Sequence, residues 1–160
     1  ACAAPQRTAG HSVGMTDSVI TASRGVRLVP DQGWASLHPD DFDILVIPGG
    51  KEGARSLAAD PRILDLVRRF AKAGKWLAAI CAGPLVLQAA GVLTGHRATC
   101  HPAVKMDLQG APWAEDRVVV DGRVITSQGP GTSFEFALKL IELADGPDAS
   151  SKIRQGLILP

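Results

Sequence analysis

The stretch WLAAICAGP (residues 76–84) decides the fold and points to the chemistry. Its first five residues are all apolar, which is typical of a central parallel strand that is covered on both faces. Pro84 suits the first turn of a helix, and we expect that helix to run to Gly91. The sequence therefore predicts a strand, a tight turn and a helix, with Cys81 in the turn.

Strand-like and helix-like stretches alternate along the chain on either side of this motif. The segment DFDILVIPGG (41–50) is predicted as a buried strand that ends in a Pro-Gly-Gly turn. Asp60 is predicted to cap a helix that has Pro61 in its first turn and that Gly74 ends. RATC (97–100) is predicted as a further strand.

The last third of the chain carries a strong hairpin signal. RVVVDGRVITS (117–127) has two β-branched runs around Asp121-Gly122, which we predict as the two-residue turn. Thr132 and Glu135 predict a capping box at the start of a helix that continues to Ala144. Residues 147–160 predict a further short helix. This alternation is typical of an α/β fold with a largely parallel sheet.

Composition narrows the class of protein. The chain has 160 residues, of which 46% are hydrophobic and 21% charged, so we expect a single globular domain over residues 1–160. The net charge is +1 and the two signs are intermixed, so we expect no membrane partner and no specific nucleic-acid binding. No apolar run reaches the length of a membrane span.

Three cysteines, Cys2, Cys81 and Cys100, are too few for a disulfide framework. We therefore expect a reducing, cytoplasmic setting. No C-x-x-C spacing predicts a zinc site. Cys81, Cys100 and His101 could be considered as metal ligands, but adjacent residues of a strand point to opposite faces, so no metal site is expected.

Cys81 is the candidate nucleophile. A residue in the turn after a parallel strand lies at the carboxyl edge of the sheet, where open sheets bind their ligands. The helix that begins at Pro84 would favour the thiolate through its dipole and its unpaired N–H groups. Ala82 and Gly83 are small enough to leave the sulfur accessible. The alternative is that Cys81 is a small buried apolar residue of the core.

Two neighbouring motifs could complete an active site. The backbone N–H groups of Gly49-Gly50 could converge with that of Ala82 to form an oxyanion pocket. His101 follows another predicted strand at the same edge and could act as a base or acid. The alternatives are an ordinary glycine turn and a structural His-Pro pair.

Taken together, these motifs resemble the DJ-1/PfpI family, and specifically its DJ-1-like branch. The resemblance implies a flavodoxin-like three-layer sandwich that forms a homodimer and needs no cofactor. It implies an enzyme that converts methylglyoxal to lactate, or a deglycase that acts on aldehyde adducts of proteins or nucleotides. The matching stretches are VIPGG (46–50), AAICAGP (78–84), HP (101–102) and ITSQGPGTSFEFAL (125–138), with SRG (23–25) near the start.

Other activities remain open beside this one. The family resemblance also allows a redox sensor or holdase chaperone whose cysteine is oxidised to the sulfinate. An intracellular cysteine peptidase of the same superfamily is disfavoured because it has histidine directly after the cysteine, where Ala82 stands here. A purely structural domain is the remaining reading.

The resemblance also implies residue roles. Cys81 corresponds to the nucleophile, with Gly50 and Ala82 as backbone donors and His101 as its neighbour. Gly49 belongs to the same pocket.

Two further residues would act across a dimer interface. Arg24 corresponds to an arginine that reaches an anion site in the other subunit, and Pro130 lies in the loop that lines the partner's pocket.

Three departures from the family pattern bear on activity. The family uses a glutamate from the loop after its first strand, whereas ACAAPQ (1–6) already looks like the second strand, so the first βα unit is expected to be absent. We therefore expect weak turnover from residues 1–160 and higher turnover once that unit is restored. Gln128 stands where an arginine is frequent, which predicts weaker anion binding. Cys100 replaces a more usual hydroxyl residue and offers a second thiol.

Overall fold

A computed structural model describes residues 9–22 and 25–159. These residues form two compact units: His38–Phe136 make one, and the segments before and after them make the other. The single domain over residues 1–160 stays a prediction. Every residue of the predicted site except Arg24 lies in the His38–Phe136 unit.

The unit formed by the two ends of the chain contains two small sheets. A parallel pair joins the first and fourth strands, and an antiparallel hairpin joins the second and third. The carboxylate of Asp31 accepts hydrogen bonds from the backbone N–H and the hydroxyl of Ser12, both at 2.7 Å, and these bonds lower its pKa. The strands are β1 (Val13–Gly14), β2 (Ile20–Thr21), β3 (Arg27–Leu28) and β4 (Gln32–Gly33).

The His38–Phe136 unit is built on one four-stranded sheet. Its strands are β5 (Ile44–Ile47), β6 (Trp76–Ile80), β7 (Val118–Asp121) and β8 (Val124–Ser127). Their spatial order is β5-β6-β8-β7, with the first three parallel and β7 antiparallel. The predicted α/β fold with a mostly parallel sheet is confirmed, and β6 has the predicted bounds.

Three helices follow the first two strands of this sheet. They are α1 (Lys51–Ala59), α2 (Pro61–Lys72) and α3 (Pro84–Ala89). The predicted cap of α2 is confirmed, because the Asp60 carboxylate accepts from the Arg62 N–H at 2.9 Å. Gly74, at φ +67, comes directly after the cap of this helix, as predicted. The core-facing side of α2 consists of Ile63, Leu66, Val67 and Phe70, all buried.

Two predicted elements need correction. Residues 97–100 form no named strand: Ala98 makes a single bridge to Trp113. Residues 98–100 are instead an irregular buried segment, fully buried in succession. The hairpin exists, but Asp121 pairs with Val124, so its turn is one residue later than predicted.

The chain continues into two helices, α4 (Ser133–Asp145) and α5 (Pro147–Gly156), close to the predicted positions. The Ser150 hydroxyl of α5 donates to the Leu138 carbonyl of α4 at 2.9 Å. Of the helices in the described residues, none has the length and apolar character needed to cross a membrane.

Candidate active site

Cys81 directly follows β6 and has an unusual backbone conformation. Its φ is +64°, and among the described residues it shares a positive φ with only one other non-glycine residue, Ile158. This conformation costs a non-glycine residue about 1–3 kcal/mol unless surrounding contacts hold it. Here its N–H donates to the Ser127 carbonyl and its carbonyl accepts from the His101 N–H, both at 2.9 Å. The turn that exposes the sulfur is therefore fixed from both sides.

Two glycines make room for this turn. A Cβ placed on Gly49 would lie 2.5 Å from the Cys81 Cβ and 3.1 Å from its Sγ. A Cβ on Gly83 would lie 2.7 Å from the Ile47 carbonyl oxygen at the end of β5. Both distances are shorter than real contacts allow, so the close approach of the cysteine turn to β5 requires glycine at both positions.

The predicted backbone donors have no partners in the described part of the chain. The N–H groups of Gly50 and Ala82 form no hydrogen bond with any described residue. Ala82 is only 2% exposed, so its unpaired N–H carries a desolvation cost that a bound oxyanion would relieve. Gly50, at φ +92, comes directly before α1.

His101 begins the 3-10 helix Pro102–Asp107 and caps it with its ring. The Ala103 N–H donates to the His101 Nδ1 at 3.1 Å, so in the neutral ring the proton resides on Nε2. The Cδ2–Nε2 edge of the ring is turned toward Gly129, since a Cβ on that glycine would lie 3.2 Å from Cδ2. The same Cβ would lie 4.0 Å from the Cys81 Sγ, so the thiol and the imidazole border the same space.

A cleft of about 210 Å³ opens at His101 and Gly129, and its lining does not include Cys81. Sequence analysis did not identify Arg117, the one residue of the lining whose side chain is permanently charged. Its position before a hairpin strand gave no functional signal. Gln128 and Pro130 also border this space, so Pro130 belongs to a cleft of its own chain. The lining consists of His101, Pro102, Arg117, Gln128, Gly129, Pro130, Gly131 and Thr132.

Buried hydroxyl groups hold the loop that forms one wall of the cleft. The Thr132 hydroxyl lies 2.6 Å from the Ser127 Oγ, accepts from the Gly129 N–H at 3.1 Å and donates to the Gly129 carbonyl at 2.9 Å. The Ser127 hydroxyl in turn reaches the Arg117 carbonyl at 2.9 Å. The loop is thereby tied to the ends of β7 and β8.

Cys100 differs from Cys81 in its surroundings. Its side chain is fully buried, and its Sγ contacts the His101 carbonyl at 3.5 Å. Burial, and secondarily the nearby Cys81, raises the pKa of Cys100 to about 11. Both residues are free thiols. At neutral pH Cys100 is therefore a protonated thiol that solvent does not reach, whereas Cys81 is partly exposed.

The structure thus brings Cys81, Ala82, Gly49 and His101 together and adds Gly129. Arg24 lies outside the described residues. Across residues 9–22 and 25–159, no three histidine, cysteine or acidic side chains gather closely enough to bind a metal ion.

The fold and this site define a class: an α/β protein whose partly exposed cysteine lies in a strained turn at the carboxyl edge of a parallel sheet. The chain belongs to the DJ-1/PfpI family, which matches residues 6–143.

Individual relatives agree with this assignment. The chain is 42% identical to the glutathione-independent glyoxalase DJR-1.2 of Caenorhabditis elegans, over 91% of this chain and 78% of that one. The crystal structure of Drosophila melanogaster DJ-1beta superposes with a TM-score of 0.88 at 36% identity, covering 92% of this chain and 80% of the other. Oxidized Toxoplasma gondii DJ-1 superposes with a TM-score of 0.85 at 32% identity, covering 92% and 81%. These likenesses confirm the predicted flavodoxin-like α/β fold.

Proposed function

We propose that this protein is a cofactor-independent glyoxalase that uses Cys81 to convert 2-oxoaldehydes such as methylglyoxal into 2-hydroxy acids. The observation that supports this proposal is the Cys81 turn. It holds a partly exposed thiol next to the Ala82 N–H, which has no hydrogen-bond partner among the described residues, and near the Cδ2–Nε2 edge of His101. The similarity to a protein described as a glutathione-independent glyoxalase supports the same chemistry.

The first step is addition of the Cys81 thiolate to the aldehyde carbon. A carbon–sulfur bond forms, and the carbonyl electron pair becomes an oxyanion. The N–H groups of Gly50 and Ala82 supply hydrogen bonds to this oxyanion, which they do not use elsewhere among the described residues.

The second step is an internal proton transfer. The proton on the former aldehyde carbon moves to the neighbouring carbon through an enediol, so the first carbon is oxidised and the second reduced. His101 can exchange a proton at Nε2, because its Nδ1 is occupied by the Ala103 N–H. Water then cleaves the resulting thioester, which releases the hydroxy acid and regenerates the thiol without any external oxidant.

The size of the cleft favours small substrates. Pockets for drug-sized ligands usually measure roughly 300–1,000 Å³, and the cleft lined by His101 and Gly129 measures about 210 Å³. The same addition chemistry would act on an aldehyde adduct of a protein side chain, which is the deglycase form of the proposal.

The test is lactate formation from methylglyoxal without glutathione. We expect Cys81→Ser to remove activity and Cys100→Ser, the matched thiol deletion, to retain most of it. Equal activity of Cys81→Ser and the unsubstituted protein would refute the proposal.

A redox-sensing role is the second candidate. Two observations favour it: a partly exposed, strained cysteine lies near a buried thiol that resists ionisation, and a structural relative is described in an oxidized form. If hydrogen peroxide converts Cys81 to the sulfinate while no lactate forms at any methylglyoxal concentration, the result would support the redox-sensing role and refute the glyoxalase role.

We also propose that the protein forms a homodimer. Apolar side chains on and beside the β2–β3 hairpin are exposed, including Val26 at 56%, Leu28 at 52% and Val29 at 76%. Exposed apolar side chains that cluster in this way are typical of an interface. Light scattering after gel filtration tests this directly, and a mass of 16.7 kDa would contradict it.

A further inference from the structure

We propose that the cleft at His101 and Gly129 selects 2-oxoaldehydes that carry a carboxylate on a short tail, and that Arg117 is the residue that binds this carboxylate. The inference deepens the proposed function and rests on it for the reaction. It concerns the cleft lined by His101, Gly129 and Arg117, whose lining does not include Cys81.

The first support is the composition of the cleft lining. Arg117 is the one permanently charged side chain in the lining of the cleft. Gln128 also lines the cleft, but its amide already donates a hydrogen bond within the protein. The Gln128 Nε2 donates to the Glu115 carbonyl at 2.8 Å, which leaves Arg117 as the principal donor to an anion. The guanidinium group is planar and suits two-point binding of a carboxylate.

The second support is the unused part of the Arg117 guanidinium. Its Nε donates to the Glu135 carboxylate at 2.8 Å and its Nη2 to the Gly131 carbonyl at 2.5 Å. Nη1 has no hydrogen-bond partner among the described residues. Since a guanidinium has five N–H groups, three remain for a ligand. The two existing bonds hold the side chain in place against the cleft wall.

The ion pair with Glu135 does not cancel this capacity. The side chains of Arg117 and Glu135 are 58% and 42% exposed, and ion pairs at such exposure are weak because water screens them. A carboxylate in the cleft therefore competes with water at the guanidinium more than with Glu135.

The third support is the separation of Arg117 from Cys81. Ile80 pairs with Ser127, and Ser127 pairs with Val118, so Cys81, Gln128 and Arg117 occupy the same level on three adjacent strands. Two strand spacings put the Cys81 and Arg117 backbones about 10 Å apart. Methylglyoxal has no carboxylate to offer the guanidinium. A five-carbon 2-oxoaldehyde with a terminal carboxylate can add to the sulfur at one end and reach the guanidinium at the other.

Such a substrate would react by the same steps as methylglyoxal, with no external oxidant or reductant. With 4,5-dioxopentanoate, the thiolate adds to the aldehyde carbon, the proton shifts to the adjacent carbon, and water releases 2-hydroxyglutarate. The distal carboxylate keeps its charge throughout, so Arg117 contributes binding and orientation rather than proton transfer.

The experiment compares 4,5-dioxopentanoate with its neutral isostere 4,5-dioxopentanamide. We expect the unsubstituted protein to prefer the acid by about tenfold in kcat/KM, the size of one charge-assisted contact. Arg117→Gln should abolish the preference. Added NaCl should reduce it, because the contact is partly exposed.

Two variants control for effects other than loss of the guanidinium. Glu135→Gln removes the same ion pair but keeps Arg117, so it should keep the preference. Arg97→Gln removes one positive charge of an exposed pair outside the cleft lining and should also keep it. Equal kcat/KM for acid and amide in the unsubstituted protein, or an unchanged preference in Arg117→Gln, would overturn the inference.

A binding measurement separates this inference from the proposed reaction. In Cys81→Ser, calorimetry should show 2-hydroxyglutarate binding about tenfold more tightly than lactate, with the difference lost when Arg117→Gln is added. If neither oxoaldehyde is turned over but this binding difference is found, the proposed function fails and the carboxylate site stands. If 2-hydroxyglutarate binds no better than lactate, the carboxylate site is refuted.

Discussion

The Cα of Gly49 lies against the side chain of Cys81, so closely that a Cβ there would come within 2.5 Å of the Cys81 Cβ. Gly49 lies in the loop between β5 and α1, and Cys81 directly follows β6, whose residues Trp76–Ala79 pair with Ile44–Ile47 of β5. The position of the thiol is therefore determined by a backbone contact between two adjacent strand ends. This contact predicts that small changes beneath the thiol disturb its chemistry.

Gly49→Ala should lower both stability and activity. The added methyl group would overlap the Cys81 Cβ and approach the Ile80 carbonyl oxygen at 3.0 Å, so the strand end must shift. We expect a loss of about 1–3 kcal/mol in the free energy of unfolding and at least a tenfold fall in kcat/KM, about the effect of a small misplacement.

The matched control is Gly53→Ala in α1, where an added Cβ meets nothing within 4 Å. This substitution should stabilise the helix by about 0.5–1 kcal/mol and leave activity unchanged. Similar behaviour of the two variants would show that the Gly49–Cys81 contact has no special role.

Two substitutions of His101 separate its structural role from its chemical role. Asn at this position can still accept the Ala103 N–H, as the His101 Nδ1 does, but it has no group that exchanges a proton. His101→Asn should therefore keep the melting temperature close to that of the unsubstituted protein, whereas kcat falls by about 10²–10⁴-fold. His101→Ala should lower both the melting temperature and kcat. Full activity in His101→Asn would contradict the proton-transfer role.

Thr132→Val should loosen the loop that forms the cleft wall. The substitution preserves volume but removes the hydroxyl that bonds to Ser127 and Gly129 in a buried position. We expect a destabilisation of about 1–3 kcal/mol, because the partner groups are left unsatisfied. Thr132→Ser keeps the hydroxyl and should cost clearly less in chemical denaturation. Equal losses would indicate that packing, and not hydrogen bonding, holds the loop.

The pKa of Cys100 predicts a loss of stability in alkali. Its value rises from 9.0 to about 11 on folding, so above pH 9 the unfolded chain releases this proton more readily than the folded protein. The contribution is fully present below pH 9 and is lost as the pH rises toward 11, by about 3 kcal/mol at most. Urea denaturation between pH 8 and 11 should show this slope, and Cys100→Ser should flatten it. An identical slope in that variant would assign the effect to other groups.

The sequence predicted those parts of the fold that depend on local pattern. β6 is an uninterrupted apolar run, and α2 has a cap, a proline and helical spacing, so both were predicted close to their observed bounds. α1 was missed because KEGARSLAA (51–59) has only one large apolar residue, Leu57, so its helical pattern is weak.

The hairpin turn shows why a pattern can be right in kind and shifted by one residue. The Asp121 carboxylate accepts from the Arg97 N–H at 2.7 Å, and the residue itself stays in the strand. Gly122, at φ +59, then takes the first central position of the turn, where type II′ turns place glycine. The hydrogen bond between Arg97 and Asp121 joins residues that are far apart in the sequence, so the local pattern of the hairpin does not predict it.

Some residues of the candidate site could likewise be predicted from local sequence patterns, and others could not. Cys81, Ala82 and Gly49 could be predicted because strand ends at one edge of a parallel sheet must converge. Arg117 could not, because its position depends on which strand lies beside β8, and the hairpin pattern alone does not order the strands.

The central claim is that the sulfur of Cys81 is the nucleophile of the site, and alkylation by iodoacetamide at pH 7 tests it most directly. Peptide mass spectrometry would follow the rate at each cysteine in the folded protein, with free glutathione as the reference thiol. The account predicts that Cys81 is modified at least about tenfold faster than glutathione, as expected of a catalytic cysteine nucleophile, and that Cys100 remains unmodified until the protein unfolds. Modification of Cys81 no faster than glutathione, or of Cys100 first, would contradict it.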